Sequence, residues 1–176
     1  MASSFTERMV GAATLSVPIY EELEHDREAT GQAAAVVAIA AAAAAIGSYH
    51  WGPIGVAGAI VAQFVGWFVW AAITLFIGTR LFGGTADMGE MLRTLGFAQA
   101  PGVLAVVGIV PILGWVALPV IAIWTLVAGV VAVRQALDFD TGKAVGTVFF
   151  GWLLKLLITV VLAIFTFGFG AFANLL

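Results

Sequence analysis

The chain has 176 residues, of which 62% are apolar and 10% charged, with a mean hydropathy of +1.11 and a formal net charge of −3. A soluble domain carries about 45–50% apolar and about 25% charged residues, so a water-soluble fold is excluded and an all-α polytopic membrane protein is implied. With no cysteine in the chain, disulfides, thiolate catalysis and thiolate zinc sites are excluded as well.

Residues 1–29 lack the basic-then-apolar pattern of a cleavable leader, and Glu21, Glu22, Glu24, Asp26 and Glu28 follow closely. The segment is expected to stay on the cytoplasmic side. Phe5, Met9, Ala12, Ala13 and Ser16 share one helical face. Pro18 suits the first turn of a second helix. One or two short amphipathic helices lying at the membrane surface are therefore expected here.

Five transmembrane helices are expected next, near residues 32–50, 53–78, 96–114, 115–134 and 145–167, within a single domain spanning 1–176. The first follows Thr30 as its expected N-cap and is rich in alanine, so it belongs inside the bundle, where small side chains let backbones approach. The second carries Gly58, Ala62 and Gly66 at small-xxx-small spacing, with Gln63 beside that row near mid-membrane. Gln63 is read as helix-to-helix glue, or as part of a polar pathway. Between the second and third spans, 86–95 reads as a mid-chain interfacial amphipathic helix. Met88, Met91, Leu92 and Leu95 lie on one side of it, Asp87, Glu90 and Thr94 on the other. Glu90 and Arg93, three residues apart, are placed to pair.

The third span is the irregular one. Pro101–Gly114 supplies about 21 Å of helix against a hydrocarbon core of about 30 Å. A short span beginning at Leu95 is preferred to a re-entrant hairpin. After the fourth span comes the densest polar run, Arg134-Gln135-Ala136-Leu137-Asp138-Phe139-Asp140-Thr141-Gly142-Lys143. Arg134 and Asp138 are four apart and face each other if the helix continues. Asp140 is placed to cap the last helix at Thr141. Lys155 lies within the last span and either snorkels or pairs inside the bundle.

Arg8, Arg27, Arg80, Arg93, Arg134 and Lys143 are six of the seven basic residues, and five spans put all six on one side. The positive-inside rule then places the N-terminus in the cytoplasm and the C-terminus outside. Known catalytic patterns are missing: there is no P-loop, HExxH, EF-hand, Ser-x-x-Lys or Gly-x-Ser-x-Gly. Asp138 and Asp140 are too close in sequence to share a helical face, so no paired-carboxylate site is expected on a helix. No catalytic residue, cofactor, metal or nucleic-acid partner is expected.

Two runs carry a resemblance. Met91-Leu92-Arg93-Thr94-Leu95-Gly96-Phe97-Ala98-Gln99-Ala100-Pro101 and Arg134-Gln135-Ala136-Leu137-Asp138-Phe139-Asp140-Thr141-Gly142-Lys143-Ala144 together are similar to prokaryotic members of the Yip-domain (Ypt/Rab-interacting) integral membrane family. Pro18-Ile19-Tyr20-Glu21-Glu22-Leu23 resembles the family's opening segment. The resemblance implies five spans with a cytoplasmic N-terminus, in a prokaryotic cytoplasmic membrane. Eukaryotic relatives bind Rab/Ypt GTPases. Their long cytoplasmic N-terminal region has no counterpart in this sequence, so a GTPase partner is not expected. The expected activity is that of a non-enzymatic membrane organiser or scaffold, self-associating and membrane-shaping, with the bilayer as its partner. The alternative is a small transporter or channel using a cytoplasmic-side polar cluster. The residues at issue are Glu90, Arg93, Gln99, Arg134, Asp138, Asp140 and Thr141, with Gln63 and Lys155 inside the membrane.

Overall fold

The computed structural model describes residues 3–47, 52–154 and 157, and only the backbone of residues 52–59, 62 and 111. Every regular element among the described residues is helical. Two short helices open the chain, α1 (Phe5–Ala13) and α2 (Val17–His25). Then come α3 (Ala29–Gly47), α4 (Gly52–Leu81), α5 (Met88–Phe97), a 3-10 helix (Ala100–Ile109), α6 (Pro111–Ala136) and a helix α7 over 141–154.

Local chemistry sets most of the boundaries. The hydroxyl of Ser4 accepts the Glu7 N–H, while the Glu7 carboxylate accepts the Ser4 N–H, a reciprocal cap on α1. Asp87 and Glu90 close the same box on α5. Pro111 starts α6, where its missing N–H costs nothing. α6 ends in a Schellman turn. The Phe139 N–H donates to the Arg134 carbonyl and the Asp138 N–H to Gln135, with Asp138 itself at φ 54°. The first span begins at Ala29, so Thr30 is not its cap; its hydroxyl donates to the Arg27 carbonyl instead.

Contacts between helices give the direction of each pass. A Cβ placed on Gly96 would fall 2.7 Å from the Ala33 Cβ, and one on Gly102 would fall 3.3 Å from the Ala40 Cβ. One on Gly47 would meet the Ala105 carbonyl oxygen. Thus α3 and the α5–3-10 pair run parallel. Gln63 bonds Gln99 and Trp67 bonds Leu92, so α4 runs opposite to α5. Gly129 lies under Trp70 and Gly78 under Leu137, so α6 descends beside α4. Gly151 packs on Thr74 and Gly146 on Phe82, so α7 returns. Among the described residues the direction thus alternates from α3 through α4, the α5–3-10 pair and α6 to α7. One end of the bundle, called the near end below, gathers the start of α3, the 82–87 connection and the 137–140 turn.

Three helical stretches are long and apolar enough to cross a membrane: Ala29–Gly47, Gln63–Leu81 and Ile112–Ala136. A fourth crossing is made if α5 and the 3-10 helix, bent by 43°, act as one. Their combined path is about 35 Å, against a core of about 30 Å. The short span expected over 96–114 takes other bounds here, as a bent pair over Met88–Phe97 and Ala100–Ile109. Pro101 and the close approach to α3 turn its middle into the narrower 3-10 coil, and Pro111 belongs to the next helix. The alanine-rich α3 is indeed interior: Ala33, Val36, Val37, Ala40 and Ala41 are buried. Large apolar side chains cover the outside, among them Val65, Phe68 and Phe76 on α4, Ile112, Trp115 and Ile123 on α6, and Phe149 and Trp152 on α7. The outer half of the span expected over 145–167, Lys155 and the packing of Gly58 and Ala62 lie outside the described residues.

Candidate functional site

Polar side chains concentrate where the N-terminal helices meet the near end. The two N-terminal helices are docked on the bundle: Ala12, Tyr20 and Leu23 belong to the main core, and α1 and α2 pack against α5 and α6. Between them lies Arg8, only 2% exposed. Its Nε and Nη2 donate to Glu22 Oε1 at 3.0 and 2.6 Å, Nη2 also reaches Asp26 Oδ2 at 2.6 Å, and Nη1 donates to Gln32 Oε1 at 3.1 Å. Ser3 adds its N–H and hydroxyl to Glu22. Burial pushes the Glu22 carboxyl up, but the hydrogen bonds from Ser3 and Arg8 outweigh it and hold the group below its usual value. The Arg8 hydrogen bond likewise holds Asp26 down.

Two side chains of the bundle clasp this hairpin by its helix ends. Arg93 on α5 is 5% exposed and donates from Nε to the Leu23 carbonyl at 3.0 Å and from Nη2 to the Glu24 carbonyl. These are last-turn carbonyls of α2, without intrahelical partners and at the negative end of the helix dipole. Trp124 on α6 donates its indole N–H to the Ala13 carbonyl, the last residue of α1, at 2.7 Å. Within the hairpin, the Tyr20 hydroxyl donates to the Ala12 carbonyl at 3.1 Å.

The two polar runs are arranged differently from their sequence spacing. Arg93 does not pair with Glu90, whose carboxylate is committed to the Asp87 N–H. Arg134 makes no ion pair with Asp138: the helix has ended, and the left-handed Asp138 turns its carboxylate to the Thr85 hydroxyl at 3.2 Å. Among the described residues the ion pairs are those of Arg8 with Glu22 and Asp26. Asp140 accepts the Lys143 N–H at 3.0 Å and caps α7 at exposed Thr141, while the Lys143 ammonium lies 5.6 Å from the Phe139 ring centroid. The runs do converge, but on α2. Burial raises the Glu24 carboxyl, and the charges of Asp138, Glu90 and Glu21 add to the rise. On α5, Met91, Arg93, Thr94, Leu95, Gly96 and Phe97 are all buried against the rest of the protein.

Deeper in the bundle, Gln63 Nε2 donates to Gln99 Oε1 at 3.2 Å, joining two residues that were singled out separately. The Trp67 indole N–H donates to the Leu92 carbonyl at 3.1 Å. The hydroxyls of Thr74 and Thr147 are buried without a partner among the described residues. Sequence reasoning missed Arg8, Glu22, Asp26 and Gln32. A signal existed: Glu22 and Asp26 are four apart and share a face of α2. Nothing local pointed to Arg8 as their partner.

This geometry fits holding helices together. Among the described residues no group of three or more His, Asp or Glu side chains is placed to hold a metal ion. The polar groups mostly satisfy one another or backbone ends. Against known proteins, the model of the Yip1 domain matches residues 13–172. No curated protein and no solved structure matches the chain.

Proposed function

Because the chain belongs to the Yip1 family, we propose that it is a five-span, non-enzymatic membrane organiser, a self-associating scaffold that shapes or partitions its bilayer. The observation that carries this reading is where the polar side chains go. Arg8, Arg93, Gln63, Gln99, Glu90 and Asp140 all join or cap helices. Between the Gln63–Gln99 pair and the 134–140 turn lie buried Trp67, Trp70, Leu95, Ala128 and Ala132, which offer no chain of ionisable groups to a passing solute. The apolar outer faces of α4, α6 and α7 suit lipid or a second copy. With the near end carrying Arg80, Arg93, Arg134 and Lys143, the N-terminus is cytoplasmic and the fifth pass ends outside, in a cell membrane.

Reconstitution into liposomes tests the reading. Donor- and acceptor-labelled copies should show energy transfer that saturates with protein density, and electron microscopy should show smaller or tubulated vesicles without solute or ion flux. Unaltered vesicles holding monomers that conduct ions or solutes would overturn it in favour of a transporter.

A further inference from the structure

We propose that the 3-10 helix Ala100–Ile109 is the length-adjusting element of its pass, drawn out in a thick bilayer and rewound as an α-helix in a thin one. The inference rests on the bent pair crossing the membrane, as proposed above. Ten residues is long for a 3-10 coil, which rarely runs beyond about three or four because its hydrogen bonds are poorly aligned. Each residue advances about 2.0 Å there and about 1.5 Å in an α-helix, so rewinding the whole stretch shortens the pass by about 5 Å.

Two opposing preferences meet in this stretch. The backbone favours α: residues 102–109 hold no proline, and Pro101 sits in the first turn, where either coil accepts it. Packing favours 3-10. Gly102, Ala105 and Gly108 are three apart, so at three residues per turn they form one row of small residues against α3. Gly102 faces Ala40, the Ala105 carbonyl faces Gly47, and a Cβ on Gly108 would fall 3.3 Å from the Gly47 carbonyl oxygen. Leu104, Val106 and Ile109, off this row, are exposed. In an α-helix, residues three apart drift round the axis by about 60° at each step. The small row then breaks up, and Val106 and Ile109, four and seven after Gly102, turn toward α3 in its place. The seat on α3 thus holds the long form, while the helical hydrogen bonds favour the short one. Mismatch between a pass and the hydrocarbon core costs free energy, so bilayer thickness biases the choice.

Fluorine NMR of the full chain in vesicles of short-chain or long-chain phosphatidylcholine tests this. A small trifluoromethyl tag is placed on Leu104→Cys or Val106→Cys, and dissolved oxygen serves as the relaxation agent. The two positions are neighbours in depth, so the ratio of their oxygen exposures reports rotation of the coil. In long-chain lipid both tags should be exposed. In short-chain lipid the Val106→Cys tag should lose exposure severalfold relative to Leu104→Cys. Gly108→Ile combined with Ile109→Gly moves the small residue to α spacing from Gly102, and should give the low ratio in both lipids. A ratio that is the same at both thicknesses in the otherwise unaltered chain refutes the adjustment, whichever coil it reports. A double variant that still responds to thickness refutes the role of the small row. Thiol labelling of Val110→Cys in intact cells reads the crossing separately, so a fixed ratio in a pair that does cross sinks the length change alone.

Discussion

Arg8→Gln removes the cation at the centre of the N-terminal cluster. The guanidinium makes four hydrogen bonds, three of them to carboxylates. Breaking one partner out of a buried pair costs about 3–5 kcal/mol. Two features reduce the loss here. The Glu22 and Asp26 side chains keep 27% and 29% of their surface in contact with solvent, so water partly resolvates them. Each also retains another donor, Ser3 for Glu22 and the Glu28 N–H for Asp26. A destabilisation of about 3 kcal/mol is expected, read by equilibrium unfolding in mixed micelles. Arg8→Lys should recover less than half of it, because one ammonium cannot serve both carboxylates and Gln32 at the angles of a planar fork. Combined with Glu22→Gln, the loss should fall short of the sum by at least about 1 kcal/mol. The pH dependence has a definite sign. Both carboxyls sit below their unfolded values, so their contribution is full above the usual carboxylate range and is lost as pH falls through their depressed folded values. Arg8→Gln should flatten that acid limb. A single loss below about 1 kcal/mol with strict additivity would show that the cluster is a solvated surface feature.

Three further outcomes follow from particular contacts. Arg93→Gln should cost about 2–4 kcal/mol and Asp138→Asn less than about 1, and the two losses should add, since Arg93 serves carbonyls and Asp138 an exposed hydroxyl; double-mutant unfolding checks this. Gly47→Ala should lower the melting temperature, because its Cβ would collide with the Ala105 carbonyl oxygen, whereas Gly31→Ala, with nothing within 4 Å, should hold or raise it. Glu24→Gln should raise the melting temperature at neutral pH and leave it unchanged in acid: its carboxyl binds a proton more readily folded than unfolded, so its ionised form opposes folding above the usual carboxylate range.

Hydropathy and the alanine content of α3 made much of the bundle legible, because the membrane imposes them directly. The alanines of α3 announced a buried helix, and they pack where Gly96 and Gly102 let the neighbouring backbone approach. The α5–3-10 bend was not legible. Apolar content counts a 3-10 residue and an α residue alike, and the position of Pro111 as a helix start separates them. The local pairs failed for physical reasons as well. Glu90 has a better use at its own helix start than in a bridge to Arg93, and Asp138 lies past the point where four-residue spacing means a shared face. Arg8 was invisible because its value depends on partners 14 and 18 residues away, which only the turn between α1 and α2 brings within reach. The cap at Asp140 needed only its neighbours and was read correctly.

Whether the bent α5–3-10 pair crosses the bilayer decides between five spans and a bundle with a re-entrant loop. The chain has no cysteine, so single cysteines report without background. Thr85→Cys precedes the pair, Val110→Cys follows it, Thr141→Cys opens α7 just after the near-end turn, and all three positions are exposed. In intact cells an impermeant thiol reagent should label Val110→Cys, and it should label Thr85→Cys and Thr141→Cys only after the membrane is opened. Labelling of Val110→Cys and Thr85→Cys from the same side would contradict the crossing, and with it the five-span arrangement.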